Sequence, residues 1–281
     1  MKTFTLLGLL FICFSCKHIK QTDDSLYSKH LQRNVKLHII HTPPPGDRSL
    51  YNLLILNDGQ DLEKLHVKET MDSLYKAGKI APLVIIGVEA GDRMQEYGVS
   101  GKPDYLGRGK RAVFYDDFIN SELYPYAKTQ SGVRKFHSVV IAGCSLGGLS
   151  AFDIAWNHPD KISKVGVFSG SFWWRDKASE DSSYSDEKNR IMYVKLKASR
   201  KKPGLMYWFY AGAEEEKGDR DKDSIIDVID DTKDIINLLE KRNLVLSDGL
   251  VYRELPTGIH DYSSWRIVFP EFLVWAFPAT P

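Results

Sequence analysis

A serine bracketed by glycines, Gly143-Cys144-Ser145-Leu146-Gly147, follows the apolar run Val139-Val140-Ile141-Ala142 and leads into Gly148-Leu149-Ser150-Ala151. That order suits a nucleophile held on a sharp strand-to-helix turn. The turn strains the serine backbone and brings its neighbours so close that side chains at Gly143 and Gly147 would collide, and it leaves the hydroxyl exposed at the top of a sheet. The helix expected over 147–156 stops at Asn157-His158-Pro159, because proline and the residue before it resist helical continuation. Cys144 holds the variable position before the serine and reads as a small packing residue.

A serine hydroxyl needs a base, and the base needs an orienting acid. Behind an elbow of this kind the partners follow in the order serine, acid, histidine. Only His158 and His260 follow Ser145. His158 ends the elbow helix, which carries it away from the hydroxyl. His260 lies in Pro256-Thr257-Gly258-Ile259-His260-Asp261-Tyr262, a loop beyond the last apolar strand, and is the expected general base. The acid should follow the apolar run 205–210, where Gly212-Ala213-Glu214-Glu215-Glu216 and then Asp219 are available. Glu215 is the choice among these; the alternative is a solvated glutamate run beside a serine–histidine dyad. Charge developing on the substrate carbonyl needs two aimed amides. Leu146 supplies one, and Gln60 in Asn57-Asp58-Gly59-Gln60-Asp61 is the candidate for the other.

The elements that must position these residues alternate. Strands are expected at 35–41, 51–57, 83–88, 139–144, 165–168, 205–210 and 250–255, and helices at 65–77, 114–127, 147–156, 223–241 and 264–276. The first two strands, parted by Thr42-Pro43-Pro44-Pro45-Gly46-Asp47, read as an antiparallel hairpin. Alternation of near-continuous apolar strands with helices implies a mostly parallel sheet covered on both faces, an α/β class chain with the α/β-hydrolase fold. The charged, serine-rich stretch 175–203 breaks that rhythm and reads as an insertion over the catalytic face or a surface helical excursion.

The 281 residues are 43% hydrophobic and 27% charged with a net charge of +1, an ordinary globular balance that argues against bulk electrostatic binding to nucleic acid or membrane. Met1-Lys2, the apolar run to Phe14 and then Ser15-Cys16 have the layout of an export signal over 1–16, with Cys16 as the lipidated residue or Ser15 as a plain cleavage site. A polar tether over 17–32 and one α/β-hydrolase domain over 33–281 follow from this division. The expected location is the bacterial periplasm or cell envelope. The three cysteines leave no pair to oxidise and no metal-ligand spacing, so no disulfide, metal or cofactor is expected.

Together, Asp58-Gly59-Gln60, Arg93-Met94-Gln95-Glu96-Tyr97, the elbow, Ser169-Gly170-Ser171-Phe172-Trp173-Trp174 and Gly258-Ile259-His260-Asp261 with Trp265-Arg266 resemble the esterase D type family of esterases, and within it ferric enterobactin esterases most. The resemblance implies ester hydrolysis by a Ser-His-Glu triad, supports Glu215 as the acid, and suggests Arg93 as a substrate-binding residue for an anionic ferric catecholate. Trp173 and Trp174 either stack on substrate rings or pack beneath the segment that follows. Gly107-Arg108-Gly109-Lys110-Arg111 either adds positive charge or is a solvated basic loop. The family also holds feruloyl and acetyl esterases of plant polysaccharide, and a siderophore-binding surface lipoprotein with little turnover is a further alternative. The expected partner is a small-molecule ester.

Overall fold

The computed structural model describes residues 19–199, 204–246 and 248–279, so the signal expected over 1–16, with Cys16, lies outside the described residues. Eight strands build one sheet: β1 (Lys20–Ser28), β2 (Arg33–His41), β3 (Asn52–Asn57), β4 (Leu83–Val88), β5 (Val139–Cys144), β6 (Lys164–Phe168), β7 (Met206–Gly212) and β8 (Leu250–Leu255). Their spatial order is β1-β2-β4-β3-β5-β6-β7-β8, antiparallel at the two β2 pairings and parallel from β4 onward. The helices are α1 (Val67–Lys76), α2 (Arg93–Glu96), α3 (Ala112–Asp117), α4 (Tyr124–Ser131), α5 (Leu146–Asn157), α6 (Asp186–Asn189), α7 (Ile191–Ala198), α8 (Asp227–Lys241) and α9 (Tyr262–Ala276).

Every residue of β3, β4 and β5 is buried, as central parallel strands with helices on both faces require. Their alternation feeds two cores. Leu53, Ile55 and Ile141 pack with Leu149 and Phe152 of α5 and Ile235 and Leu239 of α8, whereas Leu54, Leu56 and Val140 pack with Met71 of α1 and Phe269, Phe272 and Leu273 of α9. This is the α/β-hydrolase arrangement the alternation of elements implied.

Three local expectations need correction. The 33–41 and 52–57 strands are not a hairpin: β2 pairs with β1 and β4, while β3 runs parallel between β4 and β5. A strand buried at every position needs cover on both sides, so β3 goes to the centre. Within the segment expected as a polar tether over 17–32, Lys20–Ser28 forms β1, whose side chains are almost all exposed. An edge strand is held by main-chain bonds to one neighbour and needs no apolar stripe. The helix expected at 114–127 is longer, running from α3 through a π-helical stretch at Phe118–Leu123 into α4. Of the 175–203 stretch, the described residues to 199 take the form of a helical excursion, α6 and α7. It is pinned by Arg190, 2% exposed, whose guanidinium pairs with Asp231 of α8 at 2.5 Å and also with Asp234.

Candidate active site

Ser145 sits between β5 and α5 at φ 55°, ψ −123°, a strained conformation for a side-chain-bearing residue. The flanking glycines are required by contact. A Cβ on Gly143 would lie 2.4 Å from the Gly147 carbonyl oxygen, and one on Gly147 would lie 2.7 Å from Asp58 Oδ2. Burial pushes the neighbouring Cys144 thiol well up, which disfavours the thiolate and suits the packing role.

The structure brings Ser145, His260 and Glu215 together. His260 Nε2 is 2.9 Å from Ser145 Oγ, and His260 Nδ1 is 2.7 Å from Glu215 Oε2. The loops after β7 and β8 that carry acid and histidine are joined by the Glu214 N–H donating to the Gly258 carbonyl at 2.8 Å. Asp261, the next residue, caps α9 by accepting the Ser263 N–H, which fixes the end of the histidine loop. Of the other acids considered, Glu214 is exposed and Asp219 accepts from the Asp223 and Ser224 amides. His158 pairs instead with Asp116, at 2.6 Å.

Sequence reasoning assigned no role to Ser169 or Trp265, and both support the acid. Glu215 Oε1 accepts from Ser169 Oγ at 2.5 Å and from the Gly212 N–H at 2.6 Å, while Ser169 Oγ accepts the Trp265 indole N–H at 2.8 Å. The Trp265 ring also meets the His260 imidazole edge to face, with centroids 5.2 Å apart. Both residues lay in motifs quoted above, but only their meeting in space gives them a task.

Leu146 opens α5, so its N–H has no acceptor within the helix and lies beside the serine. Gln60 occupies a single helical turn, Gly59–Asp61, directly after β3. This loop is stitched to the elbow: the Asn57 amide donates to the Gly147 carbonyl at 2.8 Å, and Tyr262 donates to Asp61 at 2.8 Å. Arg93 belongs to the same stitching. Its guanidinium grips buried Asp58 through Nε at 2.8 Å and Nη2 at 3.0 Å, and Nη2 reaches the Cys144 carbonyl at 3.3 Å. Two of its three nitrogens are thus committed to protein rather than to a ligand.

A cleft of about 300 Å³ opens over the serine, lined by Ser145, Ser169, Gly170, Trp173, Glu215, Glu216, Val228 and His260. Trp173 is half-buried and faces this space. The expectation that Trp174 contacts substrate is corrected: it is 0% exposed, wedged against Gly98 and Gly109, with its N–H on the Lys102 carbonyl. The two rings lie 5.9 Å apart under the same Arg108 guanidinium, yet only Trp173 lines the cleft. Within the basic 107–111 loop, Arg108 pairs with Asp104 and covers Trp173, while Arg111 donates to the Leu31 carbonyl at 2.6 Å.

A family model described as a putative esterase matches residues 28–276. An uncharacterized protein of Bacillus subtilis (strain 168), YbbA, is 26% identical over 146 residues, 50% of this chain and 58% of that protein. Among solved structures, an enterobactin esterase from Shigella flexneri superposes with a TM-score of 0.71 at 20% identity, covering 94% of this chain and 61% of the other. A ferulic acid esterase matches with a TM-score of 0.68 at 19% identity, covering 92% and 98%. The chain therefore spans about three-fifths of the length of the Bacillus and Shigella proteins.

Proposed function

The chain belongs to the putative esterase family, and from that membership we propose that it is a serine carboxylic-ester hydrolase working through Ser145, His260 and Glu215. The observation that carries this is the continuous hydrogen-bonded line from Glu215 through His260 to Ser145, at 2.7 and 2.9 Å. In this reading His260 takes the Ser145 proton as the hydroxyl oxygen attacks the ester carbonyl. Glu215 holds the tautomer and offsets the imidazolium charge, and the Leu146 and Gln60 amides receive the oxyanion. Collapse expels the alcohol with the proton from His260, and water then releases the acyl group by the same steps.

For the substrate we propose an ester of the catecholate siderophore class. The likeness to the Shigella enterobactin esterase over nearly the whole chain supports this, as does Trp173, an aromatic face beside the nucleophile. A second reading, a feruloyl or acetyl ester of plant polysaccharide, is favoured by one observation: Arg93 and Arg108, the cations expected to receive an anionic substrate, are ion-paired with Asp58 and Asp104. We further propose export to the cell envelope with Cys16 as lipid anchor, on the pattern of residues 1–16.

The test is parallel hydrolysis of a ferric tricatecholate lactone, methyl ferulate and p-nitrophenyl acetate by the wild type and Ser145→Ala. Serine-dependent preference for the lactone supports the leading reading, and preference for ferulate supports the second. No serine-dependent turnover of any ester, with retained binding of the catecholate, would replace both with a siderophore-binding protein.

A further inference from the structure

Glu216 follows the triad acid directly and lines the same cleft as Ser145, Trp173 and His260. The two carboxylates differ in what holds them. Glu215 is occupied by His260, Ser169 and the Gly212 N–H. Glu216 accepts one main-chain bond, the Val228 N–H on Oε1 at 2.8 Å, and has no ion-pair partner among the described residues. No lysine or arginine is among the residues that line the cleft. The arginines are taken, Arg220 by Asp186, Asp227 and Asp231, Arg108 by Asp104, and Arg93 by Asp58, while Lys217, the next residue, is exposed and does not line the cleft. Burial, helped by the charges of Asp227 and Asp231, pushes the Glu216 carboxyl above its ordinary range against the opposing pull of the Val228 N–H and Arg220.

We propose that Glu216 is a specificity-determining residue that selects esters neutral or cationic beside the scissile bond and rejects those carrying a negative charge there. The inference rests on the ester-hydrolase reading above and sides with its second substrate reading, because a ferric tricatecholate is anionic whereas a feruloyl or acetyl ester is neutral. A ligand anion entering the cleft meets a like charge on Glu216, which is open to solvent on one side, and the repulsion lowers its productive binding by about ten-fold. The second oxygen of Glu216 is free to accept from a ligand donor, so an ammonium or phenolic hydroxyl gains where a carboxylate loses.

The competing account is that Glu216 only steadies the start of α8 through Val228. Glu216→Gln separates the two, because the amide oxygen keeps that bond and the shape while the charge goes. The substrates are p-nitrophenyl benzoates with isopropyl, carboxylate or trimethylammonio groups at the para position, assayed at pH 8, where intrinsic differences in reactivity cancel between the two proteins. The wild type is expected to disfavour the carboxylate ester relative to the trimethylammonio ester by about ten-fold beyond their spontaneous ratio, and Glu216→Gln to bring that ratio within about two-fold of it. In the wild type alone, raising salt should speed the anionic ester and slow the cationic one, a readout that survives even if the variant folds poorly. An unchanged charge ratio in Glu216→Gln, or equal salt responses of the two charged esters, overturns the proposal while leaving ester hydrolysis standing. Failure of the neutral ester to turn over in a Ser145-dependent way overturns the hydrolase reading itself.

Discussion

The indole N–H of Trp265 meets the Ser169 hydroxyl at 2.8 Å, and this contact decides which way the Ser169 proton points. With one lone pair taken by Trp265, the hydroxyl gives its proton to Glu215 Oε1 at 2.5 Å. Trp265 and Ser169 therefore hold the acid as an oriented acceptor for His260. A hydrogen bond to a buried charge contributes about 1.5–3 kcal/mol, so Ser169→Ala should lower kcat about ten- to a hundred-fold with little change in KM. Trp265→Phe should show a smaller loss of the same kind. Steady-state kinetics on a neutral ester decides; an unaltered kcat in Ser169→Ala would leave the contact with no part in turnover.

Glu215→Gln tests triad against dyad. If Glu215 sets the His260 tautomer and offsets its charge, kcat should fall by about three to four orders of magnitude. A serine–histidine dyad would lose less than about ten-fold, since the histidine would need no acid. Glu214→Gln and Asp219→Asn, which point elsewhere, should stay within about two-fold of wild type. A large loss in either would move the acid to that residue.

What the sequence made legible follows from range. The elbow, the alternation of strands and helices and the order serine, acid, histidine are local patterns or simple filters on the chain. β1 escaped because an edge strand needs no apolar stripe, and the place of β3 escaped because pairing between β3 and β5 joins residues far apart in the chain, such as Leu53 and Val139. Ser169 and Trp265 were equally out of reach: each is ordinary in its own segment, and the task arises only where the end of β6 meets α9. Trp173 and Trp174 are identical in type and adjacent, so burial alone tells them apart.

Arg93 and Asp58 form a clamp between the Gln60 loop and the elbow. The Asp58 side chain is 3% exposed and that of Arg93 is 35% exposed. Arg93→Met strands a buried carboxylate, at an expected cost of about 2–3 kcal/mol, the low end for such pairs because water partly screens the arginine. The double variant Arg93→Met, Asp58→Asn should be less destabilised than the sum of the single changes. Urea midpoints of the four proteins measure this, and strict additivity would mean the pair is not coupled. Both single variants should also lose kcat, because the loop that carries Gln60 is released.

His38 on β2 links the two antiparallel pairings of the sheet, with Nδ1 2.8 Å from Asp23 and Nε2 2.9 Å from Glu89. Burial opposes its charge, but the bonds to Glu89 and Asp23 outweigh burial and raise its pKa above the ordinary 6.5. A raised folded-state value means that protons favour the native state. The stabilisation is complete below the unfolded-state value and is lost as pH rises through the folded-state value. His38→Gln should therefore be less stable than wild type in mildly acidic buffer, with the gap closing toward alkaline pH. Denaturation midpoints across that window test the sign, and a gap that widens with pH would reverse the assignment.

Trp173 and Trp174 should separate binding from stability. Trp174 is wholly buried against Gly98 and Gly109, where loss of its indole leaves a cavity that the surrounding glycine backbones cannot fill. Trp174→Ala should cost about 3–5 kcal/mol of folding stability, read as a lowered midpoint. Trp173 lines the cleft and is covered on one side by the Arg108 guanidinium, 5.3 Å from its ring centre, which leaves its remaining surface for a ligand. Trp173→Ala should raise KM for esters of aromatic acids by about ten-fold, given that a ring pair contributes about 0.5–1.5 kcal/mol beyond its buried area, and should affect ring-free alkyl esters much less. Matched kinetics on methyl acetate and methyl ferulate, each beside a thermal melt, distinguishes the two tryptophans. An equal rise for aryl and alkyl esters in Trp173→Ala would show that the ring shapes the cleft without stacking on what enters it.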